Sequence, residues 1–333
     1  MIRVAINGFG RIGRSVFRVL SGNENIEVVG INDLFDNKTL AYLLQYDTVM
    51  GVFRKDVDYD NTGLIVAGEH VNITNEKDPA ALKWGDLNVD VVIESTGIFR
   101  DKETLEKHLQ AGAKRVILTV PPKDEIDAMI VMGVNDDQLL ASHRIVSNAS
   151  CTTNCLAPIA YVLDEAFGID DGVMTTVHAF TNDQRLADVP HKDFRRSRAA
   201  AENIIPTTTG AAKAVGKILP HLEGRLDGMA VRVPVSDGSI VDLVVRLKAQ
   251  PSAEEINAAV QSAANEKLQG ILQFSEIPLV SSDIVGNPHS SIFDSLLTQA
   301  QGDGFARVVS WYDNEWGYSN RVVDLVTKLA SLD

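Results

Sequence analysis

Two cysteines, Cys151 and Cys155, are the only thiols in the chain, and both lie in the polar segment 147–155. Apolar residues recur at helical spacing after it, and its serine and asparagine side chains are favourable caps, so the pattern predicts a helix that begins near Cys151. The dipole and unpaired N–H groups of a helix N-terminus favour a thiolate. We therefore predict that Cys151 is a reactive nucleophile and that Cys155 is a small buried residue.

His178 is the candidate proton acceptor for this thiol, because a thiol nucleophile needs a group that takes and returns its proton. It lies in the β-like run 173–180. A histidine in an apolar strand is more often structural, but the polar residues 181–184 are typical of a strand that leads into a site. No metal site is predicted, since the cysteine spacing matches no common zinc pattern.

A glycine-rich turn follows the first β-like run and opens a predicted helix. Gly8, Gly10 and Gly13 allow a tight turn, close approach of a pyrophosphate and close helix–strand packing. Asp33 ends the second run, where an acid accepts hydrogen bonds from an adenosine ribose and repels a 2′-phosphate. The pattern predicts a dinucleotide site that prefers NAD to NADP; the alternative for Asp33 is an ordinary solvated carboxylate.

Small polar residues end two further buried β-like runs. Thr96 and Gly97 follow one, and Thr119 ends the next. Ligands of parallel sheets collect at this carboxyl edge, although each residue taken singly is more often part of an ordinary turn.

The order of elements predicts an α/β fold. In residues 1–150 short β-like runs alternate with helical patterns, which indicates a Rossmann-type, doubly wound parallel sheet and an NAD-binding domain. Residues 151–314 have longer β-like runs and are predicted to form an α+β catalytic domain with a mostly antiparallel sheet. Helical spacing returns in the final segment, 315–333. The predicted strands of the first domain are Ile2–Asn7, Glu27–Asn32, Val89–Glu94, Arg115–Thr119 and Met129–Met132, and its predicted helices include Arg11–Leu20 and Lys102–Ala111.

Composition and charge exclude several classes. The chain has 333 residues, 45% of them hydrophobic, and a net charge of -14, which argues against a dedicated nucleic-acid partner. No apolar run approaches the ~18 residues that cross a bilayer. The low cysteine count suits a reducing cytosol. The first residues are predicted to form a strand rather than a secretory signal, so a cytoplasmic protein is expected. Only the segment 185–198 is basic; it is either a solvated loop, an anion site or a contact with another subunit.

Several segments make a family resemblance specific. Over essentially its full length the sequence resembles the phosphorylating, NAD-dependent glyceraldehyde-3-phosphate dehydrogenases, and the cysteine segment 147–155 is close to diagnostic by itself. The other matching segments are 5–14, 191–193 with Arg195 and Arg196, 207–213, 232–234 and 311–318.

The resemblance implies a role for each matching position. Cys151 would attack the aldehyde, and His178 would raise its nucleophilicity and act as acid and base, giving a thiohemiacetal and then a thioester. The substrate phosphate would be held by Thr181 and Arg232, and inorganic phosphate by Ser150, Thr152, Arg196, Thr209 and Gly210. The matching cofactor contacts would be Arg11, Ile12, Asp33, Lys77, Thr119 and Asn314, with Asn314 orienting the nicotinamide carboxamide. The patterns described above add Gly8, Gly10, Gly13, Thr96 and Gly97 to the predicted cofactor site.

The resemblance also implies an assembly. The loop Leu186–Arg198 would pack on a neighbouring subunit's cofactor in a homotetramer, and the final helix would return to the first domain. Lys77 stands where many relatives have arginine and Thr119 where many have serine, both close substitutions. The segment Val235–Ser239 differs more from the usual pattern and leaves the local subunit contacts open.

Three alternative functions remain at this point. An erythrose-4-phosphate dehydrogenase would share the fold and the nucleophile, and kinetics with both aldehydes would separate the two. A hydrolytic aldehyde dehydrogenase is disfavoured by the paired anion residues. A non-catalytic NAD-binding or RNA-binding protein is disfavoured by Cys151, His178 and the negative net charge.

Overall fold

A computed structural model describes residues 1–332, and its contacts divide the chain into two compact units. The first unit comprises Met1–Ile130, Asp137–Ala149 and the C-terminal segment from Ser319; the second comprises Val131–Asp136 and Ser150–Tyr318. This division places Ser150, 131–136 and 315–318 in the second unit, whereas the predicted limits place them in the NAD-binding domain.

The sheet of the first unit has nine strands among residues 1–332, in the order β3-β4-β5-β2-β1-β6-β7-β9-β8. All neighbours pair in parallel except β3 with β4 and β4 with β5. The strands are β1 (Ile2–Asn7), β2 (Ile26–Asn32), β3 (Val57–Tyr59), β4 (Gly63–Val66), β5 (Glu69–Thr74), β6 (Val91–Glu94), β7 (Arg115–Leu118), β8 (Ala128–Met129) and β9 (Ile145–Ser147). Its helices are α1 (Arg11–Leu20), α2 (Asn37–Gln45) and α3 (Lys102–Gln110).

The topology of this sheet explains where a ligand would bind. β1 pairs with β2 on one side and with β6 on the other, so the chain reverses direction across the sheet at β1. In doubly wound sheets the crevice at that switch point receives the ligand, at the carboxyl ends of the strands. β6 and β7 are buried along their whole length, as expected for strands covered on both faces. The Rossmann-type prediction is confirmed.

The sheet of the second unit has eight strands in the described chain. Seven of these strands follow the order β11-β12-β10-β13-β17-β15-β14, and β16 pairs with β17. Among the described pairs of this sheet, two are parallel, β10 with β12 and β14 with β15. The strands are β10 (Ile169–Ala179), β11 (Ile205–Thr208), β12 (Leu226–Val233), β13 (Ser239–Leu247), β14 (Leu272–Ser275), β15 (Ser291–Asp294), β16 (Gln299–Ala300) and β17 (Phe305–Tyr312). The predicted α+β sheet with mostly antiparallel strands is confirmed.

Five helices complete the described chain. They are α4 (Cys151–Phe167), α5 (Ala211–Ile218), α6 (Ala253–Asn265), α7 (Ser281–Ile284) and α8 (Trp316–Ala330). Helix α4 packs against β10, β13, β15 and β17, which positions its first turn beside the carboxyl end of β10. None of the helices within residues 1–332 is both long and apolar enough to span a membrane.

Candidate active site

Helix α4 begins at Cys151, as the sequence predicts. Its N-cap is Ser150, whose Oγ accepts a hydrogen bond of 3.1 Å from the Thr153 N–H. Ala149, just before the cap, is fully buried and has φ of 55°, a left-handed conformation that costs a residue with a Cβ on the order of 1 kcal/mol. The surrounding structure therefore holds this turn in one conformation, and the turn fixes Cys151 in the first turn of the helix.

The thiol and the predicted base are in contact. Cys151 Sγ lies 3.5 Å from His178 Nε2, and the imidazole is only 3% exposed. His178 Nδ1 lies 2.7 Å from the Ala179 carbonyl oxygen, which can only accept. The carbonyl favours a proton on Nδ1, whereas the Arg232 guanidinium beside the same nitrogen, which can only donate, favours a lone pair there. With the proton on Nδ1, Nε2 is an acceptor that faces the thiol.

Arg232 places a positive charge against the same imidazole. Parallel pairing of β10 with β12 sets His178 opposite Arg232, and Nη1 lies 2.5 Å from His178 Nδ1 and 3.1 Å from the Ala179 oxygen. Burial first, and the Arg232 charge second, lower the pKa of His178 to about 3. The imidazole is therefore neutral at physiological pH and available as a base.

Two opposing effects act on the thiol. Burial raises the pKa of Cys151, while the Arg232 charge and hydrogen bonds with Thr152 act to lower it. Burial dominates, so the resting pair is a neutral thiol beside a neutral imidazole. In this arrangement Nε2 is placed where it could accept the thiol proton, and the Arg232 charge would stabilise a thiolate.

Tyr312 is a site residue that the sequence reasoning did not assign. Its hydroxyl lies 2.8 Å from both Thr152 Oγ1 and Thr176 Oγ1, and its ring packs edge-on against the His178 ring, with centroids 5.7 Å apart. The tyrosine thus braces the nucleophile's helix against the strand that carries the base. It lies inside the matching segment 311–318, but its contacts depend on strand register, which the sequence does not show.

A second cationic side chain, Arg196, is held by its neighbours. Its Nε donates to Thr207 Oγ1 at 2.9 Å, its Nη2 lies 3.3 Å from the Thr208 carbonyl, and its Nη1 pairs with Asp183. The charges of Arg196 and Arg232 interact, which shows that the two guanidinium groups belong to one region. Thr209 and Gly210 follow directly; Gly210 starts α5 without a side-chain cap of its own, and Thr209 Oγ1 accepts from the Ala211 N–H at 3.2 Å.

The glycine-rich turn of the first unit is tight, and it opens helix α1. Gly8 has φ of 92°, and a Cβ there would lie 2.7 Å from the Thr96 nitrogen; a Cβ on Gly13 would lie 2.1 Å from the Gly8 oxygen. Gly10 faces open space and starts α1 without a side-chain cap. The uncapped N–H groups and this open space fit an anionic dinucleotide.

The other predicted cofactor residues of this unit surround the same loops. Asp33 Oδ2 accepts a 2.7 Å hydrogen bond from the Phe9 N–H, so the carboxylate also fixes the glycine-rich turn. Arg11 pairs with Asp47, and Thr119 Oγ1 donates to the Glu94 carbonyl at 3.0 Å. Thr96 Oγ1 donates a hydrogen bond to Glu94 Oε1. The Glu94 side chain is buried, and its Oε2 lies 3.0 Å from His108 Nε2. The roles of Ile12, Lys77, Gly97 and the residues above remain predictions.

A doubly wound dinucleotide-binding sheet and a cysteine–histidine pair on a second unit define a cysteine-dependent, NAD-linked oxidoreductase. Residues 2–102 match the family model described as glyceraldehyde 3-phosphate dehydrogenase, NAD binding domain, and residues 150–314 match its C-terminal domain. The chain belongs to the glyceraldehyde-3-phosphate dehydrogenase family.

Named relatives agree with this assignment. A protein of Mycobacterium tuberculosis named glyceraldehyde-3-phosphate dehydrogenase is 56% identical over 333 residues, covering 98% of each chain. Glyceraldehyde-3-phosphate dehydrogenase 2 of Streptomyces avermitilis is 55% identical over 97% of each chain. Glyceraldehyde-3-phosphate dehydrogenase 1 of Bacillus subtilis is 55% identical over 99% of this chain and 98% of the relative.

We expect Asp33→Ala to relax the choice between NAD and NADP. Loss of the carboxylate removes repulsion of a 2′-phosphate and a hydrogen-bond acceptor for the ribose, so the ratio of kcat/KM for NADP to that for NAD should rise at least tenfold, about 1.4 kcal/mol. Steady-state kinetics with both cofactors measures the ratio. Asp33→Asn is the matched variant, because it removes the charge and keeps an acceptor for the Phe9 N–H. An unchanged ratio in both variants would refute the role of Asp33.

Proposed function

We propose that this chain oxidises D-glyceraldehyde 3-phosphate with NAD and inorganic phosphate to 1,3-bisphosphoglycerate and NADH. The observation that carries the proposal is the 3.5 Å contact between Cys151 Sγ and His178 Nε2, with Arg232 beside the imidazole. The relatives are named for glyceraldehyde 3-phosphate, which favours this aldehyde over erythrose 4-phosphate. The reaction belongs to glycolysis and gluconeogenesis.

The first step forms the carbon–sulfur bond. The thiol proton passes to His178 Nε2 as Cys151 Sγ adds to the aldehyde carbon, and the carbonyl π electrons move to oxygen. The oxyanion accepts hydrogen bonds from the Cys151 N–H and from the protonated Nε2, and one such donor contributes about 3 kcal/mol to lowering the barrier. The oxyanion then takes the proton from Nε2, so the product is a neutral thiohemiacetal on Cys151 and His178 is again a free base.

The second step oxidises that thiohemiacetal. Bound NAD supplies the hydride acceptor. His178 takes the hydroxyl proton as hydride leaves the carbon, and the carbonyl forms again as a thioester. A thioester keeps the free energy of oxidation that hydrolysis to the acid would release.

The third step transfers the acyl group to phosphate. A phosphate oxygen attacks the thioester carbon, the carbon–sulfur bond breaks and the Cys151 thiolate leaves. We propose that Thr181 and Arg232 hold the phosphate of the substrate. Incoming phosphate would be held by Ser150, Thr152, Arg196, Thr209 and Gly210. The fixed position of Arg196 and the uncapped start of α5 support this second site.

The dependence on phosphate tests the proposed function. With glyceraldehyde 3-phosphate and NAD, the steady rate of NADH formation should fall at least about 100-fold when phosphate is omitted. Slow hydrolysis of the thioester then limits turnover. A burst of about one NADH per active site should remain, because the first two steps need no phosphate. Steady turnover that is independent of phosphate would instead identify a hydrolytic aldehyde dehydrogenase.

We further propose a homotetramer that works in the cytoplasm. Leu186 and Phe194 are 85% and 87% exposed in the loop 186–198, and large apolar side chains exposed together mark an interface. Both cysteines are free thiols, which suits a reducing compartment. Light scattering of the purified protein tests the stoichiometry.

A further inference from the structure

A buried carboxyl group lies beside the predicted nicotinamide contact Asn314. Asp237 belongs to the segment Val235–Ser239, the segment that departs most from the family pattern, and it is only 2% exposed. Its Oδ1 accepts hydrogen bonds from the Asn314 N–H at 3.2 Å and from the Gly238 N–H at 2.8 Å. Within residues 1–332 no donor reaches its Oδ2. In a neutral carboxyl one oxygen carries the proton and needs no hydrogen-bond donor, and Oδ2 fits that description.

The backbone holds this carboxyl in place. Gly238 has φ of 83°, and a Cβ there would lie 2.2 Å from the Ser281 carbonyl oxygen, so neither the conformation nor the space admits another residue. The segment therefore has one conformation, in which the carboxyl of Asp237 points inward at the corner that carries Asn314.

The side chain of Asn314 is fixed by the same segment. The buried Ser239 Oγ accepts from the Ala179 N–H at 3.0 Å and donates its one proton to Asn314 Oδ1 at 2.6 Å. This assigns the amide orientation, because the hydroxyl proton requires an acceptor. Asn314 is 6% exposed, and its Nδ2 makes no hydrogen bond to the rest of the described chain. The donor of the amide is thus available to a ligand carbonyl.

The neighbours of Asp237 decide its protonation state. The Asp313 side chain accepts hydrogen bonds from three backbone N–H groups, those of Gly286 at 2.7 Å, Glu315 at 2.8 Å and Trp316 at 2.6 Å. Burial first, and then the Asp313 charge, raise the pKa of Asp237 to about 9, with a further contribution from Glu315. Cys151 is also within electrostatic range, since a charge on Asp237 raises the pKa of the thiol.

We propose that Asp237 is a positioning residue. As a neutral carboxylic acid it holds the backbone of Asn314 so that the side-chain amide N–H of Asn314 is directed at the carboxamide oxygen of the bound nicotinamide. The inference rests on the proposed cofactor role of Asn314. It adds that this role requires a proton on Asp237. A neutral carboxyl accepts from Asn314 and donates to Asp313, whereas two adjacent carboxylates repel each other and displace the segment.

The affinity for NAD as a function of pH tests this. Direct binding titrations should show the wild-type Kd for NAD rising about tenfold between pH 8 and 10.5, as Asp237 loses its proton. Asp237→Asn, which mimics the neutral acid permanently, should hold the Kd constant within about twofold over that range. Asp237→Ala should raise the Kd about tenfold at pH 7.5, and Asp237→Asn should restore it. Ser239→Ala gives an independent measure, with an expected rise of similar size.

The controls separate this inference from the function it rests on. Asp294→Asn changes another buried carboxyl of the same unit, one that accepts from Trp311 Nε1 at 3.1 Å, and should keep the wild-type pH dependence. If Asn314→Ala weakens NAD binding while Asp237→Asn shows the same alkaline loss as wild type, the inference is wrong and the cofactor role stands. If Asn314→Ala binds NAD normally, the role of Asn314 fails and the inference with it.

Discussion

Cys151→Ser should abolish the dehydrogenase reaction while NAD still binds. A serine hydroxyl in the same position has a much higher pKa than a thiol and is a far poorer leaving group from the acyl intermediate. Turnover with glyceraldehyde 3-phosphate should therefore fall at least about 10⁴-fold, a loss of about 5 kcal/mol in transition-state stabilisation. NADH absorbance measures the turnover, and a binding titration measures the cofactor.

Cys155 supplies the matched control for this experiment. It is fully buried, its Sγ lies 3.7 Å from Ser291 Oγ, and burial raises the pKa of its thiol to about 12. Cys155→Ser should keep turnover within about twofold.

Iodoacetamide should label Cys151 alone, and the labelled fraction should equal the fraction of activity that is lost. Labelling elsewhere, or turnover that survives complete labelling of Cys151, would show that the thioester mechanism is wrong.

The features that sequence predicted well are those set by local rules. Helix α1 has the predicted limits Arg11–Leu20, and α4 starts at the predicted nucleophile, because glycine turns and caps act over a few residues. The Rossmann-type sheet follows from alternating β and α patterns. By contrast, β3 to β5 and α2 were not among the predicted elements. Exposed residues on both faces of β3 leave no alternation for a pattern to show.

The features that escaped prediction depend on strand register across long separations. His178 meets Arg232 because β10 and β12 pair in one particular register, and Ser239 faces Tyr312 across β13 and β17 for the same reason. A shift by one residue would turn every side chain to the other face of the sheet. The sequence shows that such residues exist, but not which of them meet. Asp237 is a further case, since its contact with the Asn314 N–H joins residues 77 positions apart.

The pH dependence of unfolding shows whether His178 is held neutral. The pKa of His178 is lowered to about 3 in the folded protein, against about 6.5 in the unfolded chain. Between these values the unfolded state binds more protons at this histidine, so His178 contributes a decrease in the free energy of unfolding as the pH falls from 6.5 toward 3. His178→Asn should show a shallower loss in denaturant titrations at pH 4.5 and 7.5. An equal slope in the two proteins would contradict a buried neutral imidazole.

The same variant tests the base directly. Asparagine at position 178 can still donate a hydrogen bond to the oxyanion, but it cannot take the thiol proton, so His178→Asn should lower kcat about 10³-fold, within the usual range for loss of a general base. His221 is the control: it is exposed, and its Nε2 lies 2.5 Å from Asp164 Oδ2. The substitution His221→Asn should leave kcat unchanged. The rate of Cys151 alkylation at pH 7 should fall together with kcat, because both need the proton to leave Sγ. If kcat and the alkylation rate both stay near wild type, the 3.5 Å contact serves to hold the thiol and a different group removes its proton.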